Sequence, residues 1–225
     1  MVASVFVLVA GAANGQLHQL SSIARAAQPP DWYIGVSLVG LWVGFLAGPL
    51  IASKAQGAGR LVADFGLRFK SRDLLGILIG VGGQFLIALF YLPFHIKNLT
   101  APAQKLTGAA HGWGFAVIAV LTVVGAPFFE ELFFRGLLFR ALARLFTPAG
   151  TAVSGVVLAV VADGVLFGLA HWELYPFAGL ALFGMVLAWV SYRTGRLGMN
   201  MVAHASFNLV AVLALLSSRG GVILH

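Results

Sequence analysis

Six apolar runs, at residues 32–52, 74–94, 115–134, 151–170, 176–192 and 199–216, dominate this sequence. Each reaches the roughly 17 to 25 residues that a helix needs to cross the hydrocarbon of a bilayer. Lipid offers the peptide groups no water, so a span must satisfy its own hydrogen bonds, which an α-helix does. The expected fold is therefore all-α, a polytopic transmembrane bundle with six to seven spans. The seventh candidate, residues 2–13, is short and lacks the basic flank of a secretory signal, and it reads as a short first helix. Charged residues make up only 9% of the chain, against about a quarter in soluble domains.

Breakers separate the runs: QPPD at 28–31, QGAG at 56–59, TPAG at 147–150 and TGRLG at 194–198. No internal repeat is visible, so residues 1–225 read as a single integral-membrane domain. Between 136 and 146 the pattern changes, and Arg140 and Arg144 lie one turn apart. This segment reads either as an amphipathic extension along the interface or as the end of one long helix.

The net charge of +7 reports topology rather than an acidic partner. Lys54, Arg60, Arg68, Lys70 and Arg72 crowd the link between the first two spans, which the positive-inside rule makes cytoplasmic. Alternation then brings Arg135, Arg140, Arg144, Arg193 and Arg196 to the same side. The link 96–114, with Lys97 and Lys105, faces out, as does the C-terminus with Arg219. The expected partner is the lipid bilayer, with no nucleic acid, and the expected location is the plasma membrane of a prokaryote, crossed several times. No cysteine is present, which excludes disulfides and thiolate metal sites.

An ionisable group at the centre of a span costs about 2.5 to 3.5 kcal/mol on insertion scales, so each one is a functional candidate. The set is small: Glu130, Glu131, Asp163, His171 and His204, with Asn208 as a polar companion. In PFFEELFFRG, at 127–136, Glu131 and Arg135 are four apart, share a helix face and neutralise each other. Glu130 lies about a hundred degrees round the helix with Phe134 four residues on, and no local cation answers it. It is the carboxylate left for proton transfer. The bland alternative has both acids bridging to basic residues elsewhere.

In FGLAH, at 167–171, Phe167 lies one turn below His171 and can wall its ring. A chain folding back at 147–150 sets Glu130 and His171 at comparable heights. In HASFN, His204 and Asn208 are four apart and share a face, and two preorganised donors suit a developing oxyanion. They equally suit a helix-gluing role. Helix rise counted from the bends puts His204 roughly 15 Å nearer the cytoplasm than Glu130, so convergence requires tilt or a bend set deep in the membrane. Asp163 reads as a packing contact, a partner for an arginine or a tuner of His171.

EExxxR, FxxxH and HxxxN, in that order over about 115–213, resemble the CPBP intramembrane protease family, also called the ABI family, which includes the type II CAAX prenyl endopeptidases. The resemblance implies a catalytic core at about 115–213. It implies an endopeptidase whose water is activated by Glu130 with His171, while His204 and Asn208 form the oxyanion hole and Glu131, Arg135 and Phe167 support. The family is commonly described as metalloproteases. Glu130, His171 and His204 make a two-histidine, one-carboxylate zinc set with an open water position, but HExxH is absent, and a metal-free glutamate mechanism needs the same residues and is slightly favoured.

The substrate expected is a membrane-associated or lipid-anchored polypeptide, reaching the site from the cytoplasmic side. A membrane aspartyl protease would need a second intramembrane aspartate, and a rhomboid-type serine protease a GxSG turn. The competing reading is a non-enzymatic transporter or bacteriocin-immunity protein that uses the same buried charges.

Overall fold

The computed structural model describes residues 2–26, 29–95, 112–147 and 152–223, and for 2–5, 152 and 218–223 the backbone only. Most of the expected outer link with Lys97 and Lys105, the bend residues 148–150 and the side chain of Arg219 lie outside that description. Among the described residues every regular element is helical.

A short helix α1, Val2–Ala13, and a single-turn piece α2, Leu20–Arg25, precede the first long helix α3, Asp31–Gln56. After α4, Leu61–Phe65, a 3₁₀ turn, Ser71–Leu75, leads into α5, Gly76–Tyr91. Then come a continuous helix α6, Gly112–Phe146, and α7, Ala152–Ala170, α8, Phe177–Thr194, and α9, Gly198–Ile223. Among the described residues six helices are long and apolar enough to cross a membrane: Asp31–Gln56, Ser71–Phe94, Gly112–Phe146, Val153–Ala170, Phe177–Thr194 and Gly198–Ser217. They coincide with the six apolar runs. At about 1.5 Å per residue α1 is too short to be a seventh, and it packs along α3 instead. The chain is an integral, multi-pass membrane protein.

α3 runs parallel to α6, and its aromatic residues set the register. Ile34 packs on Ile118, Trp42 stacks on Phe129 at 5.0 Å and Phe45 on Phe133 at 4.7 Å. α5 meets α9 almost backbone to backbone. A side-chain carbon at Gly80 would collide with the Ala203 carbonyl, and one at Gly76 would fall 2.8 Å from the Ala203 amide. Small residues are what permit such approach in lipid, where dispersion between close backbones replaces the hydrophobic drive.

The end of the bundle that carries the basic links is closed. Arg140 turns inward from α6 and donates to the carbonyls of Asp64 at 2.7 Å, Phe65 at 3.1 Å and Gly195 at 3.4 Å. Residues 136–146 are thus both the end of one long helix and a clamp on two loops. Arg196 forks onto both oxygens of the buried Asp73 at 2.8 and 2.9 Å and reaches the Arg68 carbonyl at 3.1 Å. The Leu197 amide donates to the carbonyl of Gly66, whose left-handed φ of 67° lets the two loops touch. Above this polar layer Phe65, Leu132, Leu197 and Met201 form one buried apolar cluster.

Asp64 ties the link after α3 by accepting from the Ser53 hydroxyl and from the amides of Ala58 and Arg60. The Ser53 hydrogen bond, ahead of the two amides, holds its carboxyl below the ordinary value of 3.8. A depressed folded value means that this contribution is complete above the ordinary carboxylate value and is lost as pH falls through the folded one. Asp64→Asn should therefore lower the unfolding temperature in detergent at pH 7 and flatten its decline below about pH 4 relative to wild type. Gly80→Leu should overpack the α5–α9 seam by about 1–3 kcal/mol or more, read as a lower unfolding temperature and less folded protein in membranes.

Candidate functional site

Helix α6 carries the first acids, and its own irregularity helps to place them. Its turn at Leu121–Gly125 is π-helical, the Ala126 amide bonding the Leu121 carbonyl five residues back. In that register the next amide would bond Thr122, but the next residue is Pro127, which has none. The orphaned Thr122 carbonyl accepts instead from Asn208 Nδ2 at 2.8 Å. One amide hydrogen of Asn208 is thereby committed and the other is left for further use. A proline in the helix thus joins α6 to α9 at the level of the site.

Glu131 and Arg135 are completely buried and paired, Nη1 to Oε1 at 2.9 Å, as their spacing predicts. The pair is the middle of a larger network. Arg135 Nη2 donates to the Gly184 carbonyl on α8 at 3.0 Å, and its Nε lies 3.3 Å from Oδ2 of Asp163 on α7. The Asp163 contact is not aligned as a hydrogen bond and is Coulombic. The guanidinium also sits 4.4 Å over the ring of Phe167. On the other side Glu131 Oε1 meets His204 Nδ1 at 2.9 Å, and Oε2 lies 3.4 Å from Asn200 Nδ2, which also donates to the Leu187 carbonyl at 2.6 Å.

Glu130, the next residue, has none of this. Its side chain is 13% exposed, Oε2 is buried without a hydrogen-bond partner, and that oxygen lies 3.9 Å from His204 Nε2. Because a carboxylate only accepts, Glu131 requires the proton of a neutral His204 to sit on Nδ1 and leaves the Nε2 lone pair turned toward Glu130. His171 is governed by the same logic. Its Nδ1 lies 2.8 Å from the Phe167 carbonyl, so the neutral ring carries its proton there and keeps Nε2 as an acceptor.

Phe167 does more than wall His171. Its ring touches His171 at 4.7 Å, His204 at 5.6 Å and Phe134 at 5.2 Å, each edge to face. Glu130 thus lies beside His204, Asn208 is tied to Thr122 on α6, and the Phe167 ring touches both His171 and His204. Among the described residues no three His, Cys, Asp or Glu side chains are grouped so as to hold a metal ion. His171 packs on Phe167.

The expected 15 Å mismatch in height disappears because the two bends are not level. Arg140 reaches the Gly195 carbonyl, so the bend before α9 lies beside Arg140, well short of the end of α6. Ten residues separate Arg140 from Glu130 and nine separate Gly195 from His204, rises of about 15 and 14 Å. Of the three readings of Asp163, the structure selects the arginine partner. Asn200 was missed, although Asn200, His204 and Asn208 recur every four residues and mark one polar stripe on α9.

Residues 112–210 match the family model described as type II CAAX prenyl endopeptidase Rce1-like, and through this segment the chain is similar to the CAAX protease, or CPBP, family. The match spans all three motifs. No curated protein and no solved structure matches the chain.

Removing Arg135 would strand two buried carboxylates, which costs about 3–5 kcal/mol when a buried ion pair is broken from one side. Arg135→Leu should therefore abolish folded protein or lower its unfolding temperature severely. Asp163→Asn, which leaves the Glu131 pair intact, should cost distinctly less in the same thermal assay.

Proposed function

We propose that this chain is an intramembrane endopeptidase that hydrolyses a peptide bond of a membrane-associated polypeptide with a water activated by Glu130. The observation that carries the reading is the division of labour between adjacent acids. Glu131 is saturated by Arg135, His204 and Asn200, while Glu130 Oε2 is buried and unpartnered beside His204 Nε2. A free carboxylate within reach of a substrate carbonyl is what general-base hydrolysis needs.

In this mechanism Glu130 takes one proton from the water while His171 Nε2 accepts a hydrogen bond from the other. The hydroxyl oxygen bonds to the carbonyl carbon, and the carbonyl oxygen becomes an oxyanion. The proton on Glu130 passes to His204 Nε2, and Glu131 stabilises the imidazolium at Nδ1. That imidazolium and the uncommitted amide hydrogen of Asn208 donate to the oxyanion. As the C–N bond breaks, His204 returns the proton through Glu130 to the leaving nitrogen, and the products are a carboxylic acid and an amine. The prenylated substrates of the CAAX endopeptidases supply the class analogy, with the lipid anchor or span of the substrate holding it at this depth.

Glu130→Gln keeps shape and removes the base. It should reduce cleavage by about 10² to 10⁴-fold while leaving the unfolding temperature near that of wild type. The measurement compares newly created peptide termini by mass spectrometry in membranes that express either protein at equal level. Termini present only with wild type identify the substrate. Identical termini would sink the peptidase and favour the transport or immunity reading of the same charges.

A further inference from the structure

The two ends of the bundle differ in a way that bears on how a substrate arrives. Toward the basic links the site is floored twice: by the apolar cluster of Phe65, Leu132, Leu197 and Met201, then by the Arg140 and Arg196 clamps. Leu132 follows Glu131 directly, and Met201 lies one turn from His204, so the floor begins immediately beneath the buried network. Toward the other end His171 lines a cavity of about 330 Å³, the size of many ligand sites. Its walls are α3, through Tyr33, Ser37 and Leu41, and the α7–α8 turn with the start of α8, through His171, Pro176 and Leu180.

From Leu41 to Tyr33 the cavity follows about 12 Å of helix, the length of three to four extended peptide residues at about 3.3 Å each. Its inner end is the His171 ring. Its outer end lies at Pro29, before α3, and Glu173, in the α7–α8 turn. In that turn Trp172, at 93% exposure, and Leu174, at 85%, project outward. Nine of the fourteen Lys and Arg residues lie in the links and helix ends at the opposite end: Lys54, Arg60, Arg68, Lys70, Arg72, Arg140, Arg144, Arg193 and Arg196. That bias makes the clamped end cytoplasmic.

We infer that the cavity between the N-terminal half of α3 and the α7–α8 turn is the substrate entry and subsite, taking an extended polypeptide segment with apolar side chains from the extracytoplasmic half of the membrane. The inference rests on the peptidase reading and reverses the cytoplasmic approach expected from the sequence. A polypeptide is the occupant because a scissile bond at Glu130 and His171 must place its flanking residues within two or three residue lengths of the His171 ring, and this cavity is the space there. Its lining is almost wholly apolar, so the flanking side chains it accepts are aliphatic or aromatic.

The chain has no cysteine, so single cysteines report access directly. Ser37→Cys is a small change in the cavity wall, and Lys54→Cys sits at the far end of the same helix as a control. Each is exposed to a membrane-impermeant sulfonated maleimide in intact bacterial cells and in inside-out vesicles. Ser37→Cys should label in intact cells and lose labelling in inside-out vesicles, with Lys54→Cys showing the reverse. Loading Ser37→Cys with the reagent should also abolish the termini that the unlabelled variant generates.

Labelling of Ser37→Cys from the vesicle side, or equally from both, overturns the inference. So does labelling from neither side until detergent strips lipid, which would mean that an acyl chain fills the cavity. Outside labelling combined with no wild-type-specific termini keeps the sidedness and overturns the peptidase reading alone.

Discussion

The charge of Arg135, completely buried in the middle of a membrane bundle, is the constraint around which the rest is arranged. An isolated guanidinium at this depth would be intolerable, and a single carboxylate beside it would leave most of its five donors unanswered. The chain answers with groups from three other places: Asp163 on α7, the Gly184 carbonyl on α8 and the face of Phe167, in addition to Glu131 on its own helix. Meeting these demands draws α6, α7 and α8 together at one level. α9 is brought in by Glu131, which uses its remaining capacity on His204 and Asn200.

The reactive arrangement is a by-product of that saturation. Because Glu131 is spent on structure, its neighbour Glu130 is left without a cation, and because Glu131 takes His204 Nδ1, the other nitrogen of the ring is turned to Glu130. Adjacent acids a hundred degrees apart on a helix are thus made unequal by what surrounds them, one tied into the scaffold and the other left without a cation. The proline-orphaned Thr122 carbonyl works in the same way on Asn208: a defect in one helix becomes the positioning contact for a side chain on another.

Much of the site was legible in the sequence, for particular reasons. The four-residue spacing of Glu131 and Arg135, and of His204 and Asn208, is a local property of helix geometry that no tertiary packing alters. Phe167 and His171 are legible on the same ground. Asn200 shares that periodicity and was overlooked because asparagine near a span end is unremarkable alone. The pairing of Asp163 with Arg135 was not legible, since it depends on the rotation of α7 against α6.

Composition and hydrophobic run length by themselves determined that this chain is a polytopic bundle of membrane-spanning helices, because lipid leaves the backbone few other ways to satisfy its hydrogen bonds. The ionisable residues within those runs were equally determined as the functional candidates, because each costs too much to be incidental. Only the tertiary structure decided that His204 reaches Glu130, since this depends on the Gly195 bend standing level with Arg140. It alone decided which end of the bundle is packed shut, because Phe65, Leu132, Leu197 and Met201 come together from α4, α6, the turn before α9, and α9. Such convergence is a matter of helix height and rotation, set by side-chain packing between segments far apart in the chain.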